Sequence, residues 1–209
     1  MTELQPDAGW KNPSSARLAA PPIAERGLIF KLLSRLSRRL GRQEVPDVIT
    51  VLHMNPRLFW AWLFFASRLM PYGRLPVKLR EKIILRTAWN CRSRYEWGQH
   101  VDIALTVGVT DEEIVKVSRG PAAFAGHDDQ ALMLACDEMC AEQCISDSTW
   151  KTLSERYEKK LLIEIMLLIG HYIMIAGFLN SAGLSLEKPI EDRLQAFHQR
   201  VGLLLGGAS

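Results

Sequence analysis

The sequence predicts an all-α domain of about eight helices. Apolar residues recur at helical spacing along most of the chain, and no segment has the apolar–polar alternation typical of a β-strand. Asn, Ser, Thr and Pro stand where helices begin, and Gly stands where several of them end. We therefore expect residues 23–205 to form one domain with a single core, preceded by a flexible tail at residues 1–22.

The composition is that of an ordinary globular protein, with 48% hydrophobic and 23% charged residues. The N-terminus lacks the apolar segment of a secretory signal, and the four cysteines give no case for a disulfide framework. We therefore expect a cytoplasmic protein. Residues 1–100 hold 17 Lys and Arg against 7 Asp and Glu, an asymmetry that either steers anionic ligands or is incidental.

The first predicted helix, Glu25 to Leu40, is basic on one face and rich in leucine on the other. Such a helix can bind a membrane or nucleic acid, but burial of its leucines against the domain or a neighbouring subunit is the favoured interpretation. No basic patch interleaved with aromatic residues supports a nucleic-acid site. We expect neither nucleic acid nor a membrane as a partner.

Two further helices are predicted, at Asp47–His53 and from Asn55-Pro56 to Met70. The second contains five aromatic residues and is apolar on nearly every face. This pattern predicts a buried core helix or an oligomer interface. The segment is too short to cross a bilayer.

The most informative segment is a pair of helices, Val77–Trp89 and Ser93–Val107, joined by a polar break. Ser93 and Glu96 have the spacing of a capping box, and Gly108 is placed to end the second helix.

This helical pair carries three ionisable residues that can act together. Glu96 and His100 are four residues apart, and a carboxylate one turn before an imidazole can orient the ring as a general acid or base. Glu81, one helix earlier, is the third group. The alternative is an ordinary exposed ion pair, which contributes roughly a few tenths of a kcal/mol. Aromatic and amide neighbours favour a pocket lining over a solvated face: Tyr95, Trp97 and Gln99.

The same residues resemble those of a known family. Glu81, the run Tyr95-Glu96-Trp97-Gly98-Gln99-His100, then Ala104 and Gly108-Val109, are similar to the pattern of the carboxymuconolactone decarboxylase family, within the alkylhydroperoxidase D-like superfamily. The resemblance extends over about residues 45–186. It implies an alkylhydroperoxidase D-like fold and assembly as a homo-oligomer, either a trimer or a hexamer.

The peroxidase branch of that superfamily has a CxxC dithiol shortly before its histidine. If His100 is that histidine, the two cysteine positions fall on Ser93 and Glu96, and the family's glutamate falls on Glu81. Both thiols are missing here. The resemblance therefore favours the decarboxylase-type branch.

That branch implies a lyase without a metal or organic cofactor, acting on a small carboxylated lactone or a related acid. His100, Glu96 and Glu81 are the predicted catalytic residues, with His100 held by Glu96 and relaying a proton to carbon. The substrate carboxylate is expected to bind an arginine, either Arg86, Arg92 or Arg94. The predicted substrate-binding residues are Tyr95, Trp97, Gln99 and Arg86.

Two other functions remain open. Cys91 lies close to a predicted helix start and is flanked by basic residues, Arg92 and Arg94, which can lower the pKa of a thiol. This would suit a peroxidase-related antioxidant protein. The other alternative is a non-catalytic oligomeric binding protein.

The second half of the chain is helical as well. Thr110 and Glu113 have the spacing of a capping box for a helix that begins at Asp111. Further helices are predicted at about 129–143, 147–157, 161–179 and 190–205. Three cysteines share one face of a helix, where neutral thiols are favoured over a metal site because no convergent ligand accompanies them: Cys136, Cys140 and Cys144.

The segment Leu161–Leu179 has only two ionisable residues, Glu164 and His171, and is long and apolar enough to span a membrane. We favour a buried core helix because the segment lacks flanking anchors. Glu164 and His171 either pair with each other or meet the first site. A shift of 75 residues places His171 on Glu96, which indicates a faint two-half internal repeat.

Overall fold

The computed structural model describes residues 4–11, 13–22, 30 and 45–206. Within these ranges the regular structure is helical, and no β-strand is present. The α-helices are α1 (Asp47–Leu52), α2 (Pro56–Leu69), α3 (Val77–Asn90), α4 (Arg94–Thr106), α5 (Asp111–Arg119), α6 (His127–Glu142), α7 (Asp147–Arg156), α8 (Lys159–Ala182) and α9 (Lys188–Gly206). Eight of the helices in the described ranges have seven residues or more, so the predicted all-α class is confirmed.

Helix α3 is the centre of the domain and is buried along most of its length. Ile83, Ile84 and Leu85 have no exposed surface, and helices α4, α5, α6 and α8 pack around them. Polar residues of α3 are buried as well, among them Arg80 and Glu81. Because a buried charge is costly without a partner, these residues mark the points at which α3 is bonded to its neighbours.

The start of α4 differs from the prediction. Ser93 is its N-cap residue, but the Ser93 hydroxyl is buried and has no hydrogen-bond partner among the described residues. The predicted capping box with Glu96 therefore does not form. The box predicted at α5 is present: Thr110 Oγ1 accepts a hydrogen bond from the Glu113 N–H at 3.2 Å, and Glu113 Oε2 accepts one from the Thr110 N–H at 3.0 Å. Gly108 closes α4 with a φ of +86°.

Helix α8 could cross a membrane by length and composition alone. In the structure ten of its residues are buried, and Leu168, Ile169 and Ala176 have no exposed surface. Its packing against α3 and α4 is that of the core helix predicted from the sequence. The cytoplasmic location and the internal repeat stay predictions.

The N-terminal segment is docked on the helices, in contrast to the predicted flexible tail. The ring of Trp10 lies 5.5 Å from that of Trp89 and 6.0 Å from that of Trp97. The backbone N–H of Lys11 donates to the carbonyl of Arg92 at 2.9 Å. Burial of the large apolar surface of Trp10 stabilises this docked position of the segment. The predicted basic helix Glu25–Leu40 lies outside the described residues, apart from Phe30.

Apolar side chains stay exposed on two helices. Leu58 and Phe64 of α2 are 63% and 66% exposed, and Ile163 and Met174 of α8 are each 53% exposed. Helix α2 is therefore not buried on nearly every face within the subunit, because only one side of it packs on the domain. Exposed apolar surface is typical of interaction sites, and the predicted trimer or hexamer stays a prediction.

Arg86, which the sequence suggested as a substrate-binding residue, holds three helices together instead. Its guanidinium donates to both carboxylate oxygens of Asp137 on α6, at 2.6 and 2.9 Å. It also donates to the backbone carbonyls of Val117 and Ser118 at the end of α5, at 3.0 and 3.1 Å. The planar guanidinium group of arginine can donate to partners on two sides in this way. These hydrogen bonds hold the Arg86 side chain between the helices, so it is not available to bind a substrate.

Replacing Arg86 with alanine should lower the free energy of unfolding by about 3 kcal/mol, because the carboxylate of Asp137 loses its bidentate partner. Urea unfolding of wild type and variant measures the difference.

The matched control is Arg156→Ala, since Arg156 pairs with Asp128 at 2.9 Å while its side chain is 65% exposed. That loss should not exceed about 1 kcal/mol. Equal losses in the two variants would contradict the role given to Arg86.

Candidate active site

A cavity of about 280 Å³ lies between α2, α4 and α8. Its walls are mainly apolar, and its polar groups come from α2, α4 and α8. The residues that matter for its chemistry are Trp62, Tyr95, Glu96, Gln99, His100, His171 and Tyr172. A largely apolar cavity with a few polar groups is the usual form of a small-molecule site.

His100 is held by Glu81, not by Glu96 as the sequence suggested. His100 Nδ1 lies 2.8 Å from Glu81 Oε2, and the Glu81 side chain has no exposed surface. The other Glu81 oxygen accepts from Arg80 Nε at 3.3 Å. A carboxylate can only accept hydrogen bonds, so this contact places the proton on Nδ1 and leaves Nε2 to exchange a proton with a ligand.

Glu96 lies one turn before His100 but is not bonded to it. The residue is 2% exposed, and neither carboxyl oxygen has a hydrogen-bond partner among the described residues. Burial raises the pKa of the Glu96 carboxyl well above its usual range, and the nearby Cys91 thiol adds to the shift. Burial therefore favours the neutral, protonated form of Glu96.

Helix α8 brings His171 and Tyr172 to the same cavity. The His171 ring is stacked on Trp62, with centroids 6.1 Å apart, and the Tyr172 ring stands edge-on to His100 at 5.1 Å. Burial, followed by the proximity of His100, lowers the pKa of His171 to about 4. Burial raises the pKa of Tyr172 well above its usual range. Both side chains are thus neutral over the physiological range.

Glu164 is not the partner of His171. Its Oε1 accepts hydrogen bonds from the backbone N–H groups of Arg74 and Leu75, at 2.7 and 3.0 Å, and so orders the chain before α3. His171 Nδ1 is buried and has no partner among the described residues. Of the two arrangements left open for His171, the structure favours contact with the first site.

Two of the predicted substrate-binding residues, Tyr95 and Gln99, line the cavity. Both are fixed by a carboxylate that the sequence did not reveal. Glu187 accepts from the Tyr95 hydroxyl at 2.7 Å and from Gln99 Nε2 at 2.6 Å. It also accepts from the backbone N–H of Asp47 at 2.6 Å, which joins the starts of α1 and α4.

Trp97 does not line the cavity, in contrast to the prediction. Its side chain has no exposed surface, and it packs against Trp89 at 4.9 Å and Trp10 at 6.0 Å on the core side of α4. The reason is helical geometry: a residue next to Glu96 in sequence points about 100° away from it around the helix axis. Trp97 anchors the helix that carries the site.

The environment of Cys91 is the reverse of the one predicted. The residue lies at the C-terminal end of α3, where the helix dipole disfavours a thiolate. A hydrogen bond with the Cys140 thiol raises the pKa of Cys91, and burial raises it further. This thiol is poorly suited to act as a nucleophile.

The site residues that sequence reasoning missed come from other parts of the chain: Trp62, Glu187 and Tyr172. The one available signal was His171, which with Glu164 is one of two ionisable residues in a long apolar run. Periodicity identifies an apolar helix, but it does not tell which of its polar groups meets a cavity.

This chain is similar to known proteins both in sequence and in fold. Residues 56–136 match the model of the carboxymuconolactone decarboxylase family. No match was found among curated proteins. The fold is similar to that of an alkylhydroperoxidase AhpD core, an uncharacterized peroxidase-related protein from Ralstonia eutropha JMP134, with a TM-score of 0.71 and 18% identity over 83% of this chain and 93% of that chain.

The fold is also similar to that of the debrominase Bmp8, with a TM-score of 0.72 and 13% identity over 88% of this chain and 100% of that chain. A variant of Bmp8 in complex with 2,3,4-tribromopyrrole aligns equally well, at 0.72 and 13% over 89% and 99% of the two chains. At these identities the neighbours establish the fold alone. Residues 56–136 of this chain thus match the carboxymuconolactone decarboxylase family, and the fold of the chain is alkylhydroperoxidase D-like.

Proposed function

We propose that this protein is a lyase that transfers a proton to carbon without a cofactor, with His100 as the acid–base group and Glu81 as the residue that orients it. The observation that supports this most strongly is the buried 2.8 Å contact between Glu81 and His100 at the wall of a mainly apolar cavity. An imidazole held in one tautomer by a buried carboxylate is well prepared for proton transfer.

The proposed substrate is a small lactone or related acid whose carboxylate is attached to the carbon α to a carbonyl or to the γ carbon of a conjugated carbonyl. The carbon–carbon bond to the carboxylate breaks, CO₂ leaves, and the electron pair passes into the conjugated carbonyl as an enolate. His100, protonated on both nitrogens, then gives its Nε2 proton to the substrate carbon. Glu81 stabilises the imidazolium before this step, and a proton from water restores it afterwards.

The apolar walls support this choice of reaction. A carboxylate in such surroundings loses hydration, while the departing CO₂ is neutral, so the charge becomes better dispersed as the bond breaks. The arginines proposed from the sequence are engaged elsewhere: Arg86 with Asp137, and Arg94 with Glu191 at 2.7 and 2.8 Å. Arg92 donates to the carbonyl of Ala8 at 2.9 Å. We therefore propose that neutral donors in the cavity orient the substrate.

The peroxidase alternative is less well supported. Ser93 and Glu96 occupy the dithiol positions implied by the family resemblance, and the raised pKa of Cys91 leaves little thiolate at neutral pH. The fold itself accepts small flat rings in a relative, as the complex of Bmp8 with tribromopyrrole indicates. We take this as support for a small planar substrate, not for debromination.

His100→Ala should abolish CO₂ release from carboxymuconolactone or a related carboxylated unsaturated lactone, because the proton donor is lost. Glu81→Ala should lower kcat by on the order of 10²–10⁴, the contribution of a positioned proton-transfer group. Evolved CO₂ and the deuterium incorporated at carbon from heavy water measure both effects.

His127→Ala is the matched control, since this exposed histidine at the start of α6 should leave turnover unchanged. Circular dichroism verifies that each variant is folded. Full activity in a folded His100→Ala protein would refute the proposed function.

Cys91→Ser should have no effect on peroxide consumption with a dithiol reductant, and the wild type itself should turn over little peroxide. The reason is that a thiol with a raised pKa is a weak nucleophile at neutral pH. Rapid turnover that depends on Cys91, measured by peroxide loss, would favour the antioxidant function instead.

A further inference from the structure

Three residues of the cavity wall carry buried polar atoms without a partner among the described residues. They are both carboxyl oxygens of Glu96, Nε1 of Trp62 and Nδ1 of His171. Buried polar atoms are nearly always hydrogen-bonded, and the exceptions cluster where a ligand or ordered water completes them. Glu96 and His171 are only 2% and 7% exposed, so their missing partner has to enter the cavity itself.

The surroundings of Glu96 keep its carboxyl group neutral. The ionisable groups that face it are Cys91 from the end of α3, Tyr172 from α8, and His100 with Glu81 behind it. None of them bonds to Glu96, and Glu81 already takes the hydrogen bond of His100. An ionised Glu96 would therefore be a buried charge without compensation, whereas the protonated group is a strong O–H donor.

Building on the proposed function, we propose that Glu96 is a neutral hydrogen-bond donor to the carbonyl oxygen of the substrate, and that the site takes a flat conjugated lactone or ketone whose reaction passes through an enolate. Glu96 keeps its proton throughout. The electron pair released with CO₂ gathers on the bound oxygen, and it returns to carbon when His100 delivers its proton. Glu96 and His100 thus act on different atoms of the substrate.

Hydrogen-bond donors that are already positioned around a developing oxyanion make some of the largest contributions to catalysis when water is excluded. A carboxylic acid that is kept neutral by an apolar site can serve as such a donor. The indole N–H of Trp62 is a second donor on the same cavity wall. The stacked rings of Trp62 and His171, inclined by only 17°, provide flat faces against which a conjugated ring can lie. These features favour a planar carbonyl compound over a flexible aliphatic acid.

The test compares Glu96→Gln with Glu96→Leu. Glutamine keeps an N–H donor but cannot release a proton, and leucine keeps only the bulk. If Glu96 donates a hydrogen bond, kcat for CO₂ release should stay within about tenfold of wild type in Glu96→Gln and fall by on the order of 10²–10³ in Glu96→Leu. Equal loss in both variants overturns the inference, because it means that Glu96 itself transfers a proton. Glu142→Gln, at an exposed position of α6, is the matched control and should change nothing.

Binding of 4-nitrophenolate, which presents an enolate-like oxygen on a flat ring, gives a readout that does not depend on turnover. Its absorbance reports the dissociation constant. Wild type and Glu96→Gln should bind it on the order of tenfold to a hundredfold more tightly than Glu96→Leu, as expected for a hydrogen bond to a charged oxygen. Equal affinities overturn the inference even if His100 proves essential. An active His100→Ala protein that still binds through Glu96 would instead overturn only the proposed reaction.

Stability against pH tests the protonation state of Glu96 directly. In the unfolded chain this carboxyl group titrates near its ordinary pKa of 4.5, whereas the folded protein holds the proton to higher pH. The unfolded state then binds fewer protons, so wild type should lose stability relative to Glu96→Gln as the pH rises from about 5 to about 8. Urea midpoints measure the difference. A difference that stays constant over this range means an ionised Glu96 and overturns the inference.

Discussion

The fully buried carboxylate of Glu81 is the constraint on which the rest of this structure depends. Removing an ionised carboxylate from water costs several kcal/mol, which only close partners can offset. Arg80 contacts one oxygen at 3.3 Å and His100 the other at 2.8 Å. The residue therefore fixes the imidazole in place, and it fixes α4 against the central helix α3. The same interaction thus stabilises the fold and, in the proposed function, orients the acid–base group.

One face of α4 packs in the core, and another face lines the cavity. Trp97 points into the core and packs on Trp89, so the helix cannot rotate without loss of aromatic burial. Glu96 and His100 line the cavity on another face, where their environments differ. His100 is bonded to the Glu81 carboxylate, whereas Glu96 is buried without a bonded partner among the described residues, which raises its pKa and favours the protonated form. In the proposed mechanism these two ionisable groups, one turn apart, have separate roles, His100 as the proton carrier and Glu96 as the neutral donor.

The sequence predicted the helices well because their signals are local. Periodicity, the Thr110–Glu113 box and Gly108 each act within a few residues. The site was predicted only in part. His100 and Glu96 line one cavity, and Glu81 lies behind His100. Helical spacing pointed to Glu96 as the partner of His100, but the observed partner is Glu81 on the neighbouring helix. For the same reason the role of Glu187 was missed and Arg86 was wrongly assigned to substrate binding, since the partners of both residues lie far away in the chain.

The most direct test of this account is ¹⁵N NMR of histidine-labelled protein at a pH where imidazole is neutral. The two neutral tautomers give distinct nitrogen shifts, and His100→Ala identifies the resonances of His100. We predict that His100 carries its proton on Nδ1, donated to Glu81, and that Glu81→Leu removes this preference. A wild-type His100 protonated on Nε2 would contradict the central claim, because Glu81 would then not be the carboxylate that orients the catalytic ring.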